Sequence, residues 1–104
     1  MENVQINNCM ALNELKQLIT DKKQQVKIID VRSREEYDEQ HIPGAINIEI
    51  SQLELANYLF DKTDFIITAC GKGGGRSTDA SVTLNKSGFT NCTWLCGGTF
   101  GWYE

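Results

Sequence analysis

What is scarce in this chain narrows its chemistry before anything present defines it. No apolar stretch is long enough to span a bilayer, and no internal repeat or low-complexity segment occurs. Histidine appears once, at His41. There is no Cys-x-x-Cys pair, and Cys92 and Cys96 lack the companion pair that a zinc site wants, so neither a metal nor another cofactor is expected. Cations are outnumbered, Lys+Arg 10 against Asp+Glu 14, and the net charge of −4 argues against nucleic acid or an anionic membrane as a partner. The opening Met-Glu-Asn-Val shows no basic segment followed by an apolar one, so no secretory leader is visible. A reducing cytoplasm is therefore the default for Cys9, Cys70, Cys92 and Cys96, rather than two disulfides. The 104 residues suit one small domain with one core.

What is present is concentrated between Phe65 and Val82. The apolar run Phe65 to Ala69, with Thr68 inside it, predicts a strand buried on both faces that ends at Cys70. Four glycines follow in six positions, Gly71-Lys72-Gly73-Gly74-Gly75-Arg76, and Ser77 and Thr78 then offer capping hydroxyls to a segment carrying Ala80, Val82 and Leu84. Strand, glycine loop and helix in that order form an anion cradle. Glycines permit positive φ, successive N–H groups can turn inward, and the helix start adds partial positive charge. A Cys70 thiolate at the floor of this cradle is expected to be stabilised by the amides, the helix dipole, Lys72 and Arg76. A buried cysteine is more often an inert small hydrophobe, and a glycine run is often only a turn. Three successive glycines beside two cations at the carboxyl end of a strand favour the reactive site, because open α/β sheets bind ligands there.

The remaining elements follow from periodicity and caps. Leu12, Leu15, Leu18 and Ile19 predict one face of a helix reaching about Thr20, and Val26 to Val31 predict a second buried strand. A short strand is placed somewhere between Val4 and Met10, and Asp21 to Gln25 reads as a loop. Ser33-Arg34-Glu35-Glu36 is a capping box, and His41-Ile42-Pro43-Gly44 ends its helix in a turn. Ile46, Ile48 and Ile50 alternate with polar residues, as a strand at or near a sheet edge would. Ser51 to Glu54 is a second capping box, for a helix facing inward through Leu53, Ala56 and Leu59 or Phe60. A long helix runs from about Arg76 to Ser87 and stops at Gly88. Asn91 to Leu95 is the last strand, and Phe100 and Trp102 pack a terminal turn. Alternating strands and helices imply a largely parallel α/β sheet with right-handed crossovers. Asp30 and Arg32 read as a structural ion pair, His41 as a hydrogen-bonded structural residue, Trp94 and Trp102 as packing, and Cys9 and Cys92 as inert.

Taken together these motifs resemble the rhodanese family. Ile28-Ile29-Asp30-Val31-Arg32, Glu36-Tyr37 with His41-Ile42-Pro43-Gly44-Ala45, Cys70 through Ser77, and Gly97-Gly98 with Trp102 follow one another as that family's signatures do. The resemblance covers nearly the whole chain. It implies a five-stranded parallel sheet flanked by helices on both faces, and a sulfurtransferase whose Cys70 accepts a sulfane sulfur as a persulfide and passes it on. Cys70 and Arg76 are then the catalytic residues, with Gly71, Lys72, Gly73, Gly74, Gly75 and Ser77 around the substrate. The implied partners are a small anionic sulfur donor, a thiol or cyanide-like acceptor, and a sulfur-relay protein. Arg76 stands six positions after Cys70, where family members with thiosulfate activity usually have five, and the longer loop is similar to that of related phosphatases and arsenate reductases. Those relatives usually carry a histidine before the cysteine, where this chain has Ala69, so sulfur transfer is favoured. Phosphatase or arsenate chemistry, or a non-catalytic binding module, are the alternatives. In the implied fold Cys70 and Cys96 follow neighbouring strands, which leaves a link between them open, although a buried Cys96 beside Gly97 is favoured.

Overall fold

Two strands buried on both faces set the architecture. In the computed structural model, which describes residues 9–21 and 25–104, β1 (Val26–Asp30) and β3 (Phe65–Ala69) pair in parallel from Val26 against Phe65 to Asp30 against Ala69. On the outer sides lie β2 (Ile46–Asn47) and β4 (Cys92–Trp94), both parallel, in the order β2-β1-β3-β4. The expected rhodanese-like α/β sheet is present. It has four strands among the described residues rather than five: beyond β4 only a single parallel bridge, Met10 to Leu95, forms. The strand placed between Val4 and Met10 falls, apart from Cys9 and Met10, outside the described residues, as does most of the Asp21–Gln25 loop.

Period-two alternation sends successive strand residues to opposite cores. Ile29, Val31 and Ile66 face one cluster, closed by Leu53, Ala56 and Phe60 and by Ala80 and Leu84. Ile28, Ile67 and Ala69 face the other, closed by Leu15, Ile42 and Leu95 with Leu12, Leu18 and Trp102 packed against it. Each fully buried isoleucine contributes about 1.5–3 kcal/mol. Helices thus cover both faces: α1 (Leu12–Asp21) and α5 (Gly98–Trp102) on one, α3 (Ala56–Leu59) and α4 (Gly75–Lys86) on the other. None of the described helices is long and apolar enough to cross a membrane.

Several elements depart from expectation. The Ser33–Glu36 capping box forms and opens α2 (Arg34–Glu39), but the box expected at Ser51 does not. The chain enters a 3-10 helix at Ile50–Leu55 with Glu49 at its N-cap and a kink at Gln52, and this path brings both Ile48 and Leu53 into the core. Phe60 is the buried partner and Leu59 is exposed; Ile19 and Val82 also face solvent. Val82 is two residues from both Ala80 and Leu84, which on a helix is the opposite side. Cys9 is joined to Cys96 by a disulfide with Cα atoms 5.1 Å apart. Cys9 is therefore not an idle thiol, Cys96 is not a free partner for Cys70, and a reducing cytoplasm does not account for the bond.

Candidate active site

Cys70 leaves β3 beside Val31, whose N–H donates to the Ala69 carbonyl at 3.0 Å. Its side chain is 6% exposed. The loop then turns through Gly73, Gly74 and Gly75, all at positive φ, into α4. The loop is pressed from below by the chain's last segment. Thr99 and Phe100 N–H groups donate to the carbonyls of Cys70 and Gly71 at 2.8 and 2.9 Å, so these two carbonyls cap α5. A Cβ at Gly73 would lie 2.5 Å from the Gly97 nitrogen, and one at Gly98 would run into the Cys70 carbonyl. The Gly97-Gly98 pair therefore lets two backbones touch directly under the cysteine.

The result is a cleft of about 450 Å³ lined by the Cys70–Arg76 loop, Glu36 and Phe100. Cys70 Sγ lies 3.2 Å from both the Gly74 carbonyl and the Ser77 hydroxyl. Ser77 is fully buried, so it supports the sulfur from behind instead of lining the cleft. Its oxygen accepts from the Gly74 N–H at 3.2 Å, and its carbonyl accepts at 2.7 Å from Thr68 Oγ1 in β3. Thr68 therefore ties the start of α4 to the strand that carries Cys70. Lys72 is exposed on the rim with no partner among the described residues.

Arg76 also reaches the cleft, but its fork is engaged. Nη1 and Nη2 donate to Glu36 Oε1 and Oε2 at 2.9 and 3.2 Å, which raises the Arg76 pKa and holds the Glu36 carboxyl down at about 2. Glu36 and Phe100 are the residues that sequence reasoning did not assign to the site. Glu36 reads there as a cap and as part of a family signature, and nothing local signals an ion pair across forty residues. Phe100, expected to pack, is 46% exposed, with its ring against Gly71.

The neighbouring charged and aromatic residues are occupied elsewhere. Arg32 and Asp30 form a buried pair, Nη2 to Oδ2 2.9 Å and Nε to Oδ1 3.0 Å, and Arg32 also donates to the Gln40 carbonyl. His41 donates from Nδ1 to the Tyr37 carbonyl at 2.8 Å and stacks on the Tyr37 ring. Neither pair lines the cleft. Cys92 is half-buried, and burial pushes its pKa up to about 12.

A cysteine at the carboxyl end of a central parallel strand, under a glycine loop that opens a helix, defines a class of α/β domains organised around one sulfur. The model of the Rhodanese-like domain matches residues 11–104, and the chain belongs to that family. It is 32% identical over 93 residues to YrkF of Bacillus subtilis (strain 168), whose name is that of a candidate sulfur carrier protein; the match covers 89% of this chain and 49% of YrkF. It is 33% identical over 88 residues to thiosulfate sulfurtransferase 16, chloroplastic, of Arabidopsis thaliana, covering 73% of this chain and 72% of the relative. Among solved structures, human single domain sulfurtransferase TSTD1 superposes with a TM-score of 0.76 at 29% identity, over 92% of this chain and 95% of that one. The chain spans about half the length of YrkF and most of the other two.

Proposed function

We propose that this chain, acting as one domain over residues 1–104, is a sulfurtransferase that carries a sulfane sulfur on Cys70 as a persulfide. The observation that supports this most is the Cys70 sulfur at the floor of a cleft walled by glycine-loop backbone, with Lys72 and Arg76 on the rim. The Cys70 thiolate attacks the outer sulfur of a donor such as thiosulfate, the donor S–S bond breaks, and sulfite departs with the bonding pair. A thiol or cyanide then attacks the outer sulfur of the persulfide, and the pair returns to Cys70 as thiolate. Both steps balance with no further reactant. The Ser77 hydroxyl accepts from the Cys70 thiol at 3.2 Å and donates to the Gly74 carbonyl at 3.0 Å, and a turn of its O–H toward Sγ lets it donate instead to the thiolate that each cycle restores. Gly71, Gly73 and Gly75 offer backbone N–H groups to the anionic donor and leaving group, Gly74 gives its N–H to the Ser77 hydroxyl and shapes the turn, and Lys72 and Arg76 supply charge.

The relatives named as thiosulfate sulfurtransferases support the reaction, and the candidate sulfur carrier supports a sulfur-relay protein as a physiological partner. A second reading, phosphate-ester or arsenate chemistry, is favoured by the six-position interval from Cys70 to Arg76 alone. Turnover separates the two. With thiosulfate and cyanide the protein should release thiocyanate, and Cys70→Ser should release none. Hydrolysis of an aryl phosphate without thiocyanate formation would overturn the sulfurtransferase reading, and neither product would leave a binding module.

A further inference from the structure

The two rim cations do not stand alike. Lys72 is unpartnered among the described residues, whereas Arg76 gives both terminal nitrogens to Glu36. That carboxylate is fixed from two sides, since Oε1 also accepts from the Ser33 N–H at 3.2 Å and the Ser33 hydroxyl at 3.1 Å in the cap of α2. It lines the same cleft as Cys70. With Cys70 as thiolate, the positive charges of Lys72 and Arg76 are balanced by those of Cys70 and Glu36. A dianion such as thiosulfate must therefore displace a carboxylate to use the paired terminal nitrogens of Arg76, or else settle for the remaining N–H groups of a guanidinium whose charge Glu36 already neutralises. A persulfide R–S–SH brings at most one charge to the reacting sulfur and displaces nothing.

We propose that Glu36 sets the donor class: by occupying Arg76 it selects against dianionic donors and suits the cleft to sulfur carried on a thiol. The proposal rests on the sulfurtransferase reading. In the step it favours, Cys70 Sγ bonds to the outer sulfur of R–S–SH and the donor S–S bond breaks. The bonding pair leaves on RS⁻, and the proton stays on the sulfur now held by Cys70. Glu36 acts through Arg76, so it is a positioning residue. The carboxylate remains charged throughout the neutral range, because Arg76 holds its pKa at about 2. Side-chain exposures of 46% for Arg76 and 39% for Glu36 make this a solvent-screened pair, so its release changes anion affinity by a small factor.

The test measures how inorganic sulfate protects Cys70 from iodoacetamide in the full chain, with the modified cysteine identified by peptide mapping. Glu36→Gln keeps a residue that the capping box accepts. It should halve the alkylation rate at a sulfate concentration about 2- to 5-fold lower than wild type, the factor an exposed pair is worth. Adding Arg76→Gln should cancel that gain, which general loosening of the fold would not do. In turnover, Glu36→Gln should raise kcat/KM for thiosulfate relative to that for an alkyl persulfide by a similar factor. Equal or weaker sulfate protection in Glu36→Gln, or a gain that survives Arg76→Gln, overturns the proposal. Protection needs no turnover. If it shifts as expected while no sulfur is ever transferred, the selection against dianions stands and the sulfurtransferase reading alone falls.

Discussion

Cys70 and Cys92 are the two free thiols among the described residues, and their surroundings separate them. Cys70 opens onto a cleft; Cys92 packs against the core behind β4, and burial lifts its pKa to about 12. Iodoacetamide at pH 8 should therefore leave Cys92 unmodified in the folded protein and modify it on unfolding in urea. Modification of Cys92 under native conditions would contradict its placement. The Glu36 carboxyl gives a second prediction at this scale. Its folded pKa of about 2 lies below the ordinary 4.5, so its stabilising effect is complete above 4.5 and is lost as the pH falls from there to about 2. Given its exposure the effect is no more than about 1 kcal/mol. Urea midpoints of wild type and Glu36→Gln should differ at pH 7 and converge near pH 2. A third concerns Asp30 and Arg32, which are buried together. Asp30→Asn leaves the guanidinium without its counter-charge and should cost about 3–5 kcal/mol by chemical denaturation.

At the scale of elements, the loop after β3 and the start of α5 form one unit held by backbone contact. Gly98 sits at φ 61, and a Cβ there would also lie 2.7 Å from the Gly71 carbonyl oxygen. Gly74 sits at φ 120 with open space around it. Gly98→Ala should therefore cost about 3 kcal/mol or more, through strain and collision together. Gly74→Ala should cost about 1–3 kcal/mol, through strain alone. Equal costs in urea denaturation would show that the two backbones do not bear on each other. Elements whose signals are local were legible in the sequence: the buried runs of β1 and β3, the Ser33 box of α2, and the glycine loop opening α4. Ser51-Gln52-Leu53-Glu54 carried the same local signal and failed, because core demands at Ile48 and Leu53 override a cap worth about 1 kcal/mol. The Arg76 to Glu36 pair was not legible, since it depends on how near the starts of α2 and α4 lie beyond the ends of β1 and β3, and neither residue's own surroundings encode that.

At the scale of the whole molecule, the Cys9–Cys96 disulfide ties the chain's beginning to the segment that carries the Gly97-Gly98 support, across a sequence separation of 87. A cross-link over so long a loop stabilises by about 2–5 kcal/mol. Dithiothreitol, or Cys9→Ser, should lower the urea midpoint by a matching amount, and an unchanged midpoint would contradict the bond. The order of motifs along the chain revealed the rhodanese-like topology. It did not reveal this pairing, because four cysteines at these spacings give no signal for which two meet. Nor did it reveal that, among the described residues, one Met10 to Leu95 bridge stands beyond β4. The glycine loop, Ser77 and the Gly97-Gly98 support together place one sulfur atom, and loading that atom is the most direct test. The protein is incubated with thiosulfate and, separately, with an alkyl persulfide, then weighed intact without reductant and peptide-mapped. One added sulfur is expected, on Cys70, lost on addition of cyanide; an unchanged mass with both donors, or the added sulfur on Cys92, would contradict a Cys70 persulfide.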